Sequence, residues 1–141
     1  MSVPGTQGPI LIVEDELLQA LAMEHELLSA SFSVLMALNV DELRSVRVNH
    51  LSAAVVNLRL WPGVRGQDII RDMRSYVSDL PIVVVTGYQP ESEQADLRGL
   101  GGPTERLIKI QHLDILVPTV ERLIRERGSS HREKFRRRRG D

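Results

Sequence analysis

The 141 residues contain no cysteine, so disulfides, thiol nucleophiles and cysteine-based metal sites are all excluded. No apolar run approaches the ~20 residues needed to span a bilayer, and a membrane-spanning reading is set aside. The opening stretch MSVPGTQGP lacks the basic start and long apolar segment of a secretory signal, which makes the cytoplasm the expected compartment. His25, His50, His112 and His131 show no metal-ligand spacing. There is no Gly-x-Ser-x-Gly elbow and no glycine loop with its phosphate-binding lysine, so an independent hydrolase or kinase is not expected.

What is present is an alternation of short apolar runs and amphipathic segments. Pro9 to Val13 is apolar and rich in branched residues, as suits a strand buried on both faces of a parallel sheet. Between Asp15 and about Ser31, Leu17, Leu18, Leu21, Leu27 and Leu28 recur at helical spacing,. The pattern then predicts strands over Ser33 to Leu38, Ala53 to Leu58, Pro81 to Val85 and Arg106 to Ile110. It predicts helices over Val40 to Val48, Gln67 to Val77 and Glu91 to Leu100, with a last helix running to about Arg127. Pro118 requires that last helix to kink or to start late. Five βα units imply a doubly wound parallel sheet with right-handed crossovers in a three-layer α/β sandwich, its ligand site beyond the carboxyl ends of the strands. The organisation expected is an extension over 1–8, one domain over 9–127 and a basic, disordered tail over 128–141.

The ends of the apolar runs present Glu14 and Asp15, Asn57, Thr86 and Lys109. Adjacent carboxylates at the end of a buried strand disfavour each other's ionisation unless a cation joins them; magnesium, which prefers oxygen ligands, is the suitable one. The plainer alternative is that Glu14, Asp15 and Glu16 form the acidic first turn of a helix. Taken with the hydroxyl of Thr86 and the ammonium of Lys109, the acid pair supplies the components of a phosphoryl-binding pocket.

The stretches PILIVEDE, VVNLRLWPGVRG, PIVVVTG and LIKI resemble the four signature blocks of bacterial two-component response-regulator receiver domains, over residues 9 to about 127. The resemblance implies a flavodoxin-like sheet in the order 2-1-3-4-5 and phosphate transfer from a histidine kinase onto an aspartate. It implies that Glu14 and Asp15 bind the metal together with the backbone carbonyl of Arg59. Thr86 then becomes the switch hydroxyl, Lys109 the phosphate-binding lysine and Asn57 the occupant of the acceptor position.

Three residues depart from that pattern. Asn57 stands where the attacking carboxylate should be, and a neutral amide is a poor nucleophile that also removes one charge from the metal site. Weak magnesium affinity or none is therefore expected. Arg106 stands on the output face where many receivers carry tyrosine or phenylalanine, and Ile110 replaces the usual proline after Lys109. The expected function is that of a stand-alone, non-phosphorylatable interaction module, not an enzyme. Its expected partners are a histidine kinase, a downstream effector or a second copy, met through the fourth helix, fifth strand and fifth helix. The alternative is a conventional phosphoacceptor receiver carrying an Asp-to-Asn change.

Charge is distributed unevenly. Residues 1–121 hold nine basic and sixteen acidic side chains, whereas the last twenty hold nine basic and three acidic ones. From sequence alone a solvated end is favoured over a nucleic-acid contact for this tail, because only Phe135 is available to stack on a base.

Overall fold

The structure is a computed structural model that describes residues 7–108 and 113–139, with side chains to residue 130. Five strands, β1 (Ile10–Val13), β2 (Val34–Ala37), β3 (Ala53–Asn57), β4 (Ile82–Thr86) and β5 (Thr104–Ile108), pair in parallel in the order β2-β1-β3-β4-β5. Four helices accompany them: α1 (Leu17–Ser29), α2 (Val40–Arg44), α3 (Gly66–Tyr76) and α4 (Leu116–Arg139). This is the doubly wound arrangement expected from the alternation, in the flavodoxin-like strand order that the resemblance implies.

The period of two in a strand sends successive side chains to opposite faces, and here both faces are covered. Leu11, Val13, Ala54, Val56, Ile82 and Val84 pack with Ile69, Ile70 and Met73 of α3. Ile10, Ile12, Ala53, Val55, Val83 and Val85 pack on the other side with Ala20, Met23 and Leu27 of α1 and Leu116, Val120 and Leu123 of α4. The central strands β1, β3 and β4 are buried throughout, which is why they read as continuous apolar runs.

Several elements differ from the sequence reading. α2 stops at Arg44 instead of Val48, its start fixed by Asn39, whose side chain accepts from the Glu42 N–H at 2.8 Å while Glu42 accepts from the Leu38 N–H at 3.0 Å, a reciprocal cap. The helix expected over Glu91 to Leu100 is absent; the chain makes only a 3-10 turn, Glu93–Ala95. Ala95 and Leu97 lie two apart and cannot share a helical face, and Gly99 and Gly101 adopt φ of 78° and 84°, a left-handed backbone that stops a helix. β5 consequently begins at Thr104, two residues earlier than expected.

Polar side chains hold this irregular connection in place of a helix. Gln67 donates to the Gln94 carbonyl at 2.8 Å. Arg74, buried to 8% exposure, donates to the carbonyls of Leu80, Leu100 and Pro103 and to Thr104 Oγ1. Burial pushes the Arg74 guanidinium down to about 10, since a cation loses hydration there.

The last helix starts late, after a 3-10 turn over Leu113–Ile115. Pro118 therefore falls in the first turn, where a backbone N–H has no helical partner to lose. The helix continues past Arg127 to Arg139, through the segment for which disorder was the expectation; Arg, Lys and Glu are good helix formers, and the packed first half supplies the costly nucleus.

Candidate functional site

β1 and β3 are neighbours, with Val13 paired to Val56, so the residues that follow, Glu14 and Asn57, emerge side by side at the same edge of the sheet. Both are buried, at 0% and 3% exposure. Asn57 Nδ2 donates to Glu14 Oε1 at 3.0 Å, and Asn57 Oδ1 accepts from the Arg59 N–H at 3.2 Å. The two bonds fix the amide's orientation, because a flipped amide would set oxygen against carboxylate and N–H against N–H. Glu14 Oε1 also accepts from the Glu16 N–H at 3.1 Å. Asp15, next in the chain, is exposed.

The acid pair precedes the helix and does not sit in its first turn, which contains no acidic residue. Thr86 ends β4, one position beyond the Asn57–Val85 pair; it is buried, and its Oγ1 accepts from the Tyr88 N–H at 3.0 Å. Arg59 joins the site through its backbone N–H. Lys109 and Ile110 lie outside the described residues. Glu14, Asn57 and Thr86 are thus gathered at one end of the sheet, while Arg106, within β5 opposite Val84, donates from its guanidinium to the Ala95 carbonyl and ties down the β4–β5 connection.

Two contributors escaped the sequence reading. Gly66, the first residue of α3, lies so close under the site that a Cβ there would stand 2.7 Å from Leu58 Cα and closer still to the Asn57 carbonyl oxygen. Its N–H donates to the Leu58 carbonyl at 3.0 Å, closing the Arg59–Arg65 loop. Trp61 pins that loop to the end of β2 through its indole N–H, 2.9 Å from the Leu38 carbonyl. Glycine within a GVRG run was the available signal for the first; nothing local signals the second, whose acceptor lies 23 residues away.

Structures of known proteins share this architecture. A response regulator receiver domain protein from Methanospirillum hungatei JF-1 superposes with a TM-score of 0.77 at 17% identity, covering 89% of this chain and 99% of that one. The chain has the receiver-domain fold. A response regulator receiver protein from Sinorhizobium medicae WSM419 (TM-score 0.70, 24% identity, 85% and 96% covered) and a two-component response regulator from Clostridium difficile (0.69, 24%, 84% and 97%) agree. No protein-family profile matches the sequence, and no curated protein does. Among the described residues no group of three His, Asp or Glu side chains could hold a metal ion, and no helix is long and apolar enough to cross a membrane.

Proposed function

We propose that this chain is a non-phosphorylatable protein-interaction module of two-component signalling, working in the cytoplasm without catalysis and without a resident metal. The side chain of Asn57 carries the reading. Phosphoacceptance needs an anionic oxygen at this position, and Asn57 offers a neutral amide whose N–H is directed at Glu14 Oε1. Magnesium needs oxygen ligands; here a hydrogen-bond donor stands where a second ligand oxygen would be required, so the donor set does not suit the ion. Glu14 Oε1 takes its hydrogen bond from the Asn57 amide.

Arg106 supports a fixed conformation. Where the resemblance implies an aromatic side chain that changes rotamer, a guanidinium anchors the Ala95 carbonyl, and freeing it would leave a charged donor group to find new partners. The segment between β4 and β5, where the resemblance implies an output helix, has only a 3-10 turn over Glu93–Ala95, which argues for a docking surface elsewhere. The docking face we favour is α1, where Leu17, Leu18, Leu21 and Leu28 are 51%, 81%, 41% and 51% exposed. Four exposed leucines on one short helix form a patch of the kind that marks protein contacts. Leu18 also borders a cavity of about 410 Å³ whose walls include Met23, Leu107 and Leu116. A histidine kinase or a downstream effector is the class of partner.

Incubation with magnesium and a small-molecule phosphodonor tests the reading. Intact-mass analysis is expected to find no adduct; a base-labile adduct of phosphate mass overturns it. Phosphorylation recovered by Asn57→Asp, together with unchanged partner capture by Leu18→Asp/Leu21→Asp, would instead favour a conventional receiver carrying an Asp-to-Asn change.

A further inference from the structure

Charge along the chain is segregated to an unusual degree. Residues 1–43 hold seven acidic and no Lys or Arg side chains, residues 44–121 hold nine of each, and residues 122–141 hold nine basic against three acidic. The fold turns this into an arrangement in space. Glu14, Asp15, Glu16, Asp41 and Glu42 lie after β1 and at the start of α2, at the edge where the strands end. The last helix runs back toward the opposite edge, where Arg122 pairs with Glu105 near the start of β5 at 3.1 Å and Arg127 pairs with Asp79, just before β4, at 3.2 Å.

Among the described side chains Leu123 is the last buried one of α4, and from Gly128 to Arg139 the helix goes on for twelve more residues, about 18 Å at 1.5 Å per residue. Arg122 and Arg127, both in the first half of α4, pair with the body. Between positions 132 and 139 the helix carries Arg132, Lys134 and Arg136 to Arg139 against the single acid Glu133, with Phe135 as its one apolar residue. A helix lacking an apolar stripe has nothing to place in a protein groove or an acyl layer. Six cations over about 12 Å of helix axis instead approach the charge density of duplex DNA, one phosphate per ~1.7 Å.

We propose that the C-terminal end of α4 is a nucleic-acid-binding arm that contacts the phosphate backbone of a duplex. Arg132, Arg136 and Arg139 follow the i, i+4, i+7 spacing of one helical face, and a helix of this kind is narrow enough for a major groove ~12 Å wide. Glu14, Asp15, Glu16, Asp41 and Glu42 lie at the opposite edge of the sheet from the arm. The contacts proposed are to phosphates, which fix position and carry no base information, so affinity should vary little with duplex sequence. The structure changes the weighting from that of a solvated tail, because the cations sit on a helix continuous with the packed body.

The test is fluorescence anisotropy of a labelled 20-base-pair duplex titrated with the full chain between 50 and 200 mM salt. The expected plot of log affinity against log salt has a slope of about −5, from roughly 0.9 per cation. Arg136→Ala/Arg137→Ala/Arg138→Ala/Arg139→Ala should weaken binding at least tenfold at 50 mM salt and bring the slope to about −2, with an unchanged thermal melt showing that the body still folds. Duplex affinity that is absent at 50 mM salt, or unaltered by the four substitutions, overturns the proposal. So does tighter binding to anionic lipid vesicles than to duplex, or a salt-sensitive dimer that the four substitutions dissociate without any duplex binding.

Discussion

Asn57 and Glu14 are joined by a buried amide-to-carboxylate hydrogen bond of 3.0 Å across the tips of adjacent strands. The second face of the same amide is held by the Arg59 N–H. A carboxylate at position 57 would face Glu14 as a like charge; the Asn57 amide instead donates to Glu14 Oε1.

The proposed metal-free site can be tested through this bond. Asn57→Asp replaces a donor by a like charge facing Glu14, so urea unfolding without magnesium should show a loss of about 1–3 kcal/mol. Added magnesium should recover that loss in the variant, since a ligand that binds only the folded state stabilises it, and should leave the parent chain unmoved. Magnesium stabilising both proteins equally would count against the account.

Gly66 is required by proximity. Gly66→Ala drives a methyl group into the backbone at Asn57 and Leu58, and overpacking against atoms that cannot rotate away costs about 1–3 kcal/mol. The midpoint of denaturant unfolding should fall accordingly, with a changed emission from Trp61, whose indole closes the same loop. An unaffected midpoint would mean that the α3 start is free to shift.

Arg74 is the fastener of the β4–β5 connection. Arg74→Met keeps much of the buried stem but removes the donors to the Leu80, Leu100 and Pro103 carbonyls; unsatisfied buried acceptors cost about 1–3 kcal/mol each before the chain relaxes. Hydrogen exchange should accelerate over residues 99–104 more than in β1 or β3. Uniform acceleration would show instead that the residue supports the whole sheet.

Asp96 supplies a pH test of the same segment. Its carboxylate is bonded to the Arg98 guanidinium and backbone N–H, which hold it down from 3.8 to about 2. A carboxyl depressed in the folded state contributes fully above its unfolded value and loses that contribution as pH falls toward the folded one. Carboxyl NMR should therefore find Asp96 titrating near 2, and Asp96→Asn should remove the loosening of residues 96–98 between about pH 4 and 2. An Asp96 midpoint near 3.8 would show that the pair is broken in solution.

The alternation of buried strands and amphipathic helices was open to reading because a continuous branched apolar run and a 3.6-residue period are both local properties of the chain. Glu14, Asn57 and Thr86 could be placed for the same reason: each ends an apolar run, and parallel strands bring such ends together. The failed helix after β4 is different. Its fate rests on Gln67, Arg74 and Arg106, which hold its carbonyls from 11 to 29 residues away in the chain. Gly66 and Trp61 were hidden likewise, since a close approach or a single distant carbonyl leaves no periodic trace. Periodicity can say which face of a segment is apolar; which remote donor meets which acceptor depends on distances that exist only once the layers have packed.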